Sequence, residues 1–235
     1  MLFWKKNKSP IEKYKRVREA ARALTKPIMD TMPEFVLPRA ARDLDMGGHG
    51  KVLMFDSEDE MAFLMDRCFY DIYWEANNLV GHFIESDAFK RLSEDEQRIA
   101  QGMTTAYYSL FEILIADPDE ATLDLADLLG AKNFTISDVN LSLTAVEGNL
   151  LAMRINQIEG LFMGTGAASP FYANQKDRLL DGLKSRRPLA GTGKKKNKPR
   201  KLERSDYSAH FFKQHKRMGG IGYSTSEELE YPPVG

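Results

Sequence analysis

The chain has 235 residues, 43% of them hydrophobic and 10% aromatic, and a formal net charge of −1. That is enough apolar material for one large domain or two small ones, and it excludes a globally disordered polyelectrolyte. Its single cysteine, Cys68, excludes an internal disulfide and a thiolate zinc cluster within one chain, and no stretch approaches the roughly 20 apolar residues of a membrane span. These features point to a soluble, cytoplasmic protein.

The near-neutral total conceals an asymmetry. Residues 1–26 carry nine Lys/Arg against two Asp/Glu, and residues 184–217 carry thirteen against two. Residues 27–183 between them carry eleven against twenty-seven. An acidic centre lies between two basic ends, which bears on partners more than on fold.

In chain order, MLFWKKNK comes first and is too short for a signal-peptide core. Leu2, Phe3 and Trp4 beside Lys5, Lys6 and Lys8 offer at most a weak, reversible contact with an anionic membrane surface. Ser9-Pro10-Ile11-Glu12 then spells a helix start: an N-cap serine, a proline at the first helical position and a capping-box glutamate. Ile11, Tyr14, Val17, Ala21 and Leu24 recur at helical spacing, predicting a basic amphipathic helix that ends near Lys26-Pro27. The Pro- and Gly-rich stretch 27–56 reads as a linker closing on a short strand, Lys51 to Phe55. Residues 1–50 are thus a basic helix and linker, and 51–102 a helical region.

The motif SEDE occurs at 57–60 and again at 93–96. Each Ser with the Glu three residues on forms a capping box, and the clustered carboxylates offset the helix macrodipole. One long helix is predicted from Ser57 to about Ile84, with Met61, Met65, Cys68, Ile72, Ala76, Leu79 and Phe83 as its apolar stripe. On its polar face Asp71, Glu75 and His82 are a carboxylate–imidazole set that a metal can use. The simpler account is the polar side of an amphipathic helix, and nothing in the chain demands a cofactor.

After Gly102 the period shifts towards that of strands. Candidate strands are Tyr107–Ile115, Thr122–Leu129, the segment of Phe134, Ile136 and Val139, then Leu141–Val146, Leu150–Ile155 and Leu161–Met163. "DEATLDLADLL" also supports a helix over 119–130. Strands at about 10-residue spacing suggest a small antiparallel barrel or sandwich over 103–173. GTGAASP at 164–170 reads as a loop, and 174–185 as a short helix with Leu179, Leu180 and Leu183 apolar. The fold class is α+β: a helical N-terminal half, a small antiparallel β-barrel or sandwich, a C-terminal helix and an extended basic tail over 186–235, largely disordered.

That tail carries the strongest functional signal. Lys194, Lys195, Lys196, Lys198, Arg200, Lys201 and Arg204 are dense enough to neutralise several phosphates. Tyr207, Phe211 and Phe212 are suited to stacking on unpaired bases, and Lys213, Lys216 and Arg217 continue the pattern. RNA, DNA or the ribosome is one class of partner, and another acidic protein is a second. The plain alternative is a solvated tail, or one that folds back on the acidic middle. Gly191-Thr192-Gly193-Lys194 fails as a P-loop, because Pro188 and Lys195 occupy positions that need Gly and Ser/Thr. No G-x-S-x-G elbow occurs, and Cys68 sits in an apolar stripe. A non-enzymatic binding or adaptor protein is therefore expected. The alternatives are an enzyme with a site between helices and β-domain, or a structural subunit of a larger assembly.

"VLMFDSEDEMAFLMD", "SLFEIL", "LADLLGAKNFTISDVNLSLTAVEGNLLAMRI" and "MGTGAASPF" resemble an uncharacterised group of bacterial proteins. The marks are Asp127-Leu128-Leu129, Asp138, Leu141-Ser142, Gly148 and Arg154. The resemblance implies a helical region leading into a small β-domain and transfers no catalytic residue. Some members of that group carry a C-terminal SEC-C zinc motif, where this chain has a Lys-rich run. Physically, Gly148 suits a tight turn, and Arg154 is expected to pair with Asp127 or Asp138.

Overall fold

Ser9 caps the first helix: its Oγ accepts from the Glu12 amide at 3.2 Å, and the Glu12 carboxylate accepts from the Ser9 amide at 3.1 Å. The computed structural model describes residues 9–47, 58–184 and 203–218. Helix α1 (Pro10–Ala23) buries Tyr14 and Val17, and α2 (Thr25–Met29) and α3 (Val36–Asp43) follow. The stretch read as a linker is thus partly helical, because Ile28, Val36, Ala40, Ala41 and Leu44 join the core. The strand expected at Lys51–Phe55 and the cap expected at Ser57 lie outside the described residues.

The long helix predicted to run to Ile84 is broken. Helix α4 (Glu58–Tyr70) stops at a tight turn in which Trp74 and Asn77 exchange both backbone hydrogen bonds at 3.0 Å. Glu75 and Ala76 there take φ of 45° and 73°. Asn78 then restarts the chain as α5 (Leu79–Glu85), its side chain accepting from the Gly81 amide at 2.9 Å. Local cap chemistry overrides a continuous apolar stripe. Helices α6 (Asp87–Lys90) and α7 (Glu94–Met103) complete the layer, the latter with the expected Ser93/Glu96 capping box.

Five strands close into a barrel: β1 (Tyr107–Asp117), β2 (Thr122–Asp127), β3 (Asn133–Ser137), β4 (Leu150–Ile158) and β5 (Leu161–Phe171), with α8 (Val139–Thr144) between β3 and β4. The neighbour order is β1-β2-β3-β5-β4, closed by β4 on β1. Pairing is antiparallel except between β3 and β5, which run parallel with Ile136 opposite Phe162. This is the connectivity of an OB-fold barrel. The segment Leu141–Val146, read as a strand, is mostly α8. Asp138 decides it by accepting from the Asn140 and Leu141 amides at 3.1 and 3.0 Å, and Leu141 plugs the barrel end. GTGAASP is not a loop but the body of β5. Pairing holds at Ile155–Gly164 and at Met153–Ala168, so residues 165–167 bulge opposite Arg154, with Gly166 at φ 110°.

Helix α9 (Lys176–Lys184) and helix α10 (Tyr207–Met218) cover the outer face of β1, β4 and β5. Residues 207–218, expected within a disordered tail, are therefore an ordered helix. Ser208, Phe211, Phe212 and His215 fall at i, i+3, i+4 and i+7, a helical stripe hidden within basic composition. Phe211 is fully buried and Phe212 2% exposed. Burial of each aromatic contributes on the order of 1.5–3 kcal/mol. No helix among the described residues is long and apolar enough to cross a membrane.

Strand β4 organises the interior. Leu151, Met153 and Ile155 point into the barrel. Leu150 and Ala152 face α9 and α10, while Ile158 faces the N-terminal helices. Arg154 and Asn156 share that outward row and are buried with their apolar neighbours.

Candidate functional site

Arg154 is 4% exposed. Its Nε donates to both Asp66 oxygens, at 3.2 and 3.0 Å, and its Nη2 to Asp71 Oδ2 at 2.7 Å. The guanidinium lies 4.8 Å from the Tyr70 ring centre and 5.2 Å from that of Tyr108. Asp71 also accepts from Ser208 Oγ of α10. Arg67, one helical turn earlier on α4, approaches Asp71 at 3.5 Å and pairs with Asp43 of α3 at 2.7 Å. It donates as well to the Ser205 carbonyl at 2.7 Å. Thr165, in the β5 bulge, donates to Asp66 at 2.7 Å. One ionic network therefore fastens α3, α4, β4, β5 and α10 together.

Burial pushes the Asp71 carboxyl up from its ordinary range, against the pull of Arg154 and Arg67. Burial alone would lower Arg154, yet Asp66 and Asp71 outweigh it and the guanidinium is held above its ordinary value. Every carboxylate of the network is committed to a cation or hydroxyl among the described residues. The arrangement is a clamp, and removing one member would strand a buried charge.

Beside the clamp, between α1, α4 and the β4–β5 hairpin, lies a half-open pocket of about 170 Å³. Met65, Phe69, Met103, Ile158 and Met163 form its walls. Asp66, Tyr70, Asn156 and Thr165 contribute polar groups, and Arg18 and Arg22 stand on the α1 side. Asn156 Nδ2 donates to the Tyr70 hydroxyl at 3.3 Å, while Asn156 Oδ1 has no partner among the described residues. Burial raises the Tyr70 hydroxyl, so it stays protonated. Arg154 and Asn156 on one face of an otherwise apolar strand were the signal for this region. Sequence reasoning missed Asn156 and looked for the arginine's partners within the barrel.

Those expected partners are engaged elsewhere. Asp127 accepts from the Tyr107 hydroxyl at 2.6 Å, from Ser109, and from the Leu129 and Gly130 amides at 2.9 Å. Asp138 caps α8. Gly148 makes the expected tight turn at φ 82°. The proposed metal set is not assembled: Asp71 is in the clamp, Glu75 is exposed in the turn, and His82 stacks on Trp74 with Nε2 2.9 Å from its carbonyl. No group of three or more His, Cys, Asp or Glu side chains among the described residues is placed to hold a metal. Cys68 is fully buried, and burial pushes its thiol up to about 12.

The predicted nucleic-acid residues divide into three sets. Lys194, Lys195, Lys196, Lys198, Arg200 and Lys201 lie outside the described residues. Phe211 and Phe212 are core side chains and unavailable for base stacking, and Tyr207 packs edge-on against Phe211. Lys213 is 5% exposed and pairs with Asp45 at 2.9 Å, and Lys216 pairs with Glu60. Arg204 lies over the Tyr107 ring at 4.9 Å, and Arg217 is exposed. At the other end, Lys13 Nζ donates to the Glu159 carbonyl at 2.7 Å, Arg16 pairs with Glu159, and Arg18 donates to the Gly164 carbonyl at 2.5 Å. Both basic ends thus meet the acidic centre in part.

OB-fold barrels bind oligonucleotides on the β2–β3 face and the adjoining loops. Here the outward row Thr122, Asp124, Ala126, Asn133, Thr135 and Ser137 holds no aromatic or basic residue. The β1–β2 loop adds Asp119 and Glu120, and the β4–β5 turn is occupied by the Arg16–Glu159 pair. That face repels a polyanion.

Neither a curated protein nor a solved structure matches the chain. The model of a family of unknown function, DUF7986, matches residues 8–224, a span running from the first helix through the barrel and beyond α10. The chain belongs to that family of unknown function.

Proposed function

We propose that the protein is a non-enzymatic nucleic-acid-binding module whose polyanion-contacting element is the segment 185–202. The observation that carries this reading is where the segment begins and ends. Residues 185–202 hold eight Lys/Arg and no Asp/Glu. They join α9 to α10, and Leu179 and Phe211 of those helices pack into one cluster on the barrel. The basic run is therefore a connection between two docked helices rather than a free tail. Loops held by a rigid scaffold are a common place for binding residues. The acidic β2–β3 face supports the same assignment, since it leaves phosphate contact to another part of the molecule. With Phe211 and Phe212 in the core, the reading is an electrostatic one, without base stacking by that pair.

The test is fluorescence anisotropy of labelled single-stranded RNA and DNA across a salt series. The intact chain is compared with a variant in which the eight cations of 185–202 are replaced by Gln and Ser. Contact with about six phosphates gives a log–log salt slope near −5. The neutral variant is expected to lose binding and keep its thermal melt. Absence of binding by the intact chain at low salt overturns the reading. Truncation after Ser185 is unsuitable, because it also removes Phe211 and Phe212 from the core.

A further inference from the structure

One end of the barrel gathers exposed apolar side chains. Strands β1, β3 and β5 finish there, β2 and β4 begin there, and α8 lies across it. Leu141 of α8 turns into the barrel, but Leu143 in the last turn of that helix is 54% exposed. The Gly148 amide donates to the Ile113 carbonyl at 2.8 Å, and the Ile113 amide to the Asn149 carbonyl at 2.9 Å. These bonds set exposed Val146 beside the β1 bulge, where Leu114 and Ile115 are exposed. Asn149 Oδ1 accepts from the Ala173 amide at 3.2 Å, which brings exposed Tyr172 to the same rim. This end therefore holds five of the nine large apolar side chains that stand exposed among the described residues. Scattered singly they would need no explanation, whereas gathered together they mark an interaction surface.

The charge around that surface has one sign. Residues 99–153 hold eight Asp/Glu and a single cation, Lys132. Lys132 sits in the β2–β3 hairpin, at the other end of the barrel. Of the eight acids, Asp127 and Asp138 are buried and hydrogen-bonded, and Glu112 pairs with Lys176 at 2.6 Å. Asp117, Asp119, Glu120 and Asp124 on the β1–β2 side, and Glu147 in the turn before β4, have no ion pair among the described residues. Apolar side chains set between acids are the complement of a helix whose apolar stripe is flanked by Lys and Arg.

We infer that the α8 end of the barrel docks a basic amphipathic helix of a partner protein. Its apolar stripe covers Leu114, Ile115, Leu143 and Val146, and its cations meet Asp119, Glu120 and Glu147. The inference does not rest on nucleic-acid binding by residues 185–202.

The test is fluorescence anisotropy of a labelled Leu/Lys peptide of about 18 residues, with its leucines on one helical face, titrated with the intact chain. A Kd below about 100 µM is expected at low salt. The same residues permuted to destroy the stripe are expected to bind about tenfold more weakly. The double variant Leu143→Ser/Val146→Ser, at exposed positions, is expected to weaken the striped peptide about tenfold, and Asp119→Lys/Glu120→Lys likewise. No binding of the striped peptide overturns the inference, as does equal binding of the permuted one or indifference to either double variant. Neutralising the cations of 185–202 is expected to leave the affinity unchanged. A tenfold gain on that change would name this segment as the occupant and overturn the inference. Sedimentation of the intact chain is expected to show no self-association through this end. Self-association lost in Leu143→Ser/Val146→Ser would name a second copy instead and overturn it equally.

Discussion

Helices α1 and α10 come from opposite basic ends of the chain and dock on the same barrel by different means. Helix α1 buries only Tyr14 and Val17, and its cations reach the barrel as polar contacts, with Lys13 and Arg16 on Glu159 and Arg18 on Gly164. Helix α10 buries six consecutive residues, Ser208 to Lys213, and its two phenylalanines enter separate apolar clusters. A shared basic character therefore conceals one docking weighted towards charge and one weighted towards apolar burial. The first is screened by salt, and the second is not.

The comparison is broken most severely at α10. Phe211→Ala is expected to lower unfolding stability by about 3–5 kcal/mol, read as a fall in the urea midpoint. A loss below about 1 kcal/mol would mean that the helix contributes little to the core. Next comes the clamp that ties α10 to α4 and β4. Arg154→Met leaves Asp66 and Asp71 buried without their shared cation, with an expected loss of about 3–5 kcal/mol at neutral pH. The pH dependence has a definite sign. Asp71 already titrates above its ordinary range in the folded state, so the folded state binds more protons than the unfolded one there, and stability falls as pH rises through that window. Removing Arg154 removes an influence that lowers Asp71, so the variant's deficit is expected to shrink when urea midpoints are taken nearer pH 5. A deficit that is constant with pH would show that the carboxylates are not stranded.

A gentler probe is Cys68 of α4, which belongs to the apolar cluster that residues of both helices join. Its thiol, raised to about 12 and fully buried, is expected to resist a disulfide reagent at neutral pH until the chain unfolds. Rapid modification of the native protein would contradict that burial. The smallest expected effect lies at α1. Arg16→Gln is expected to cost about 0.5–1 kcal/mol, and the difference from wild type to shrink in high salt, because the Arg16–Glu159 pair is partly exposed. Equal losses in low and high salt would remove the electrostatic half of the comparison.

The same two helices show what the sequence could tell. Ser9-Pro10-Ile11-Glu12 announces α1 because all the chemistry of its start is local. The capping box at Ser93 and the strands beginning at Tyr107 and Thr122 were readable for the same reason. Helix α10 was hidden: Phe211 and Phe212 lie among lysines and arginines, and only their spacing from Ser208 and His215 betrays a buried face. The break after Tyr70 and the helix after Asp138 turn on single capping side chains, Asn78 and Asp138, that compete with longer apolar patterns. The clamp and pocket were less legible still. Arg154 meets Asp66 and Asp71 across more than eighty residues of chain, and no local rule selects those carboxylates over Asp127 or Asp138.

Strand β4 has one more consequence. The helical layer, the barrel interior and the cover of α9 and α10 each have an apolar cluster, and β4 supplies residues to all three, through Ile158, Leu151 and Leu150. None of the three can come apart while the others keep their packing, because each would pull on the same strand. The helices and the barrel are thus expected to melt in a single cooperative transition rather than as two units, with the amides of β4 among the last to exchange with solvent.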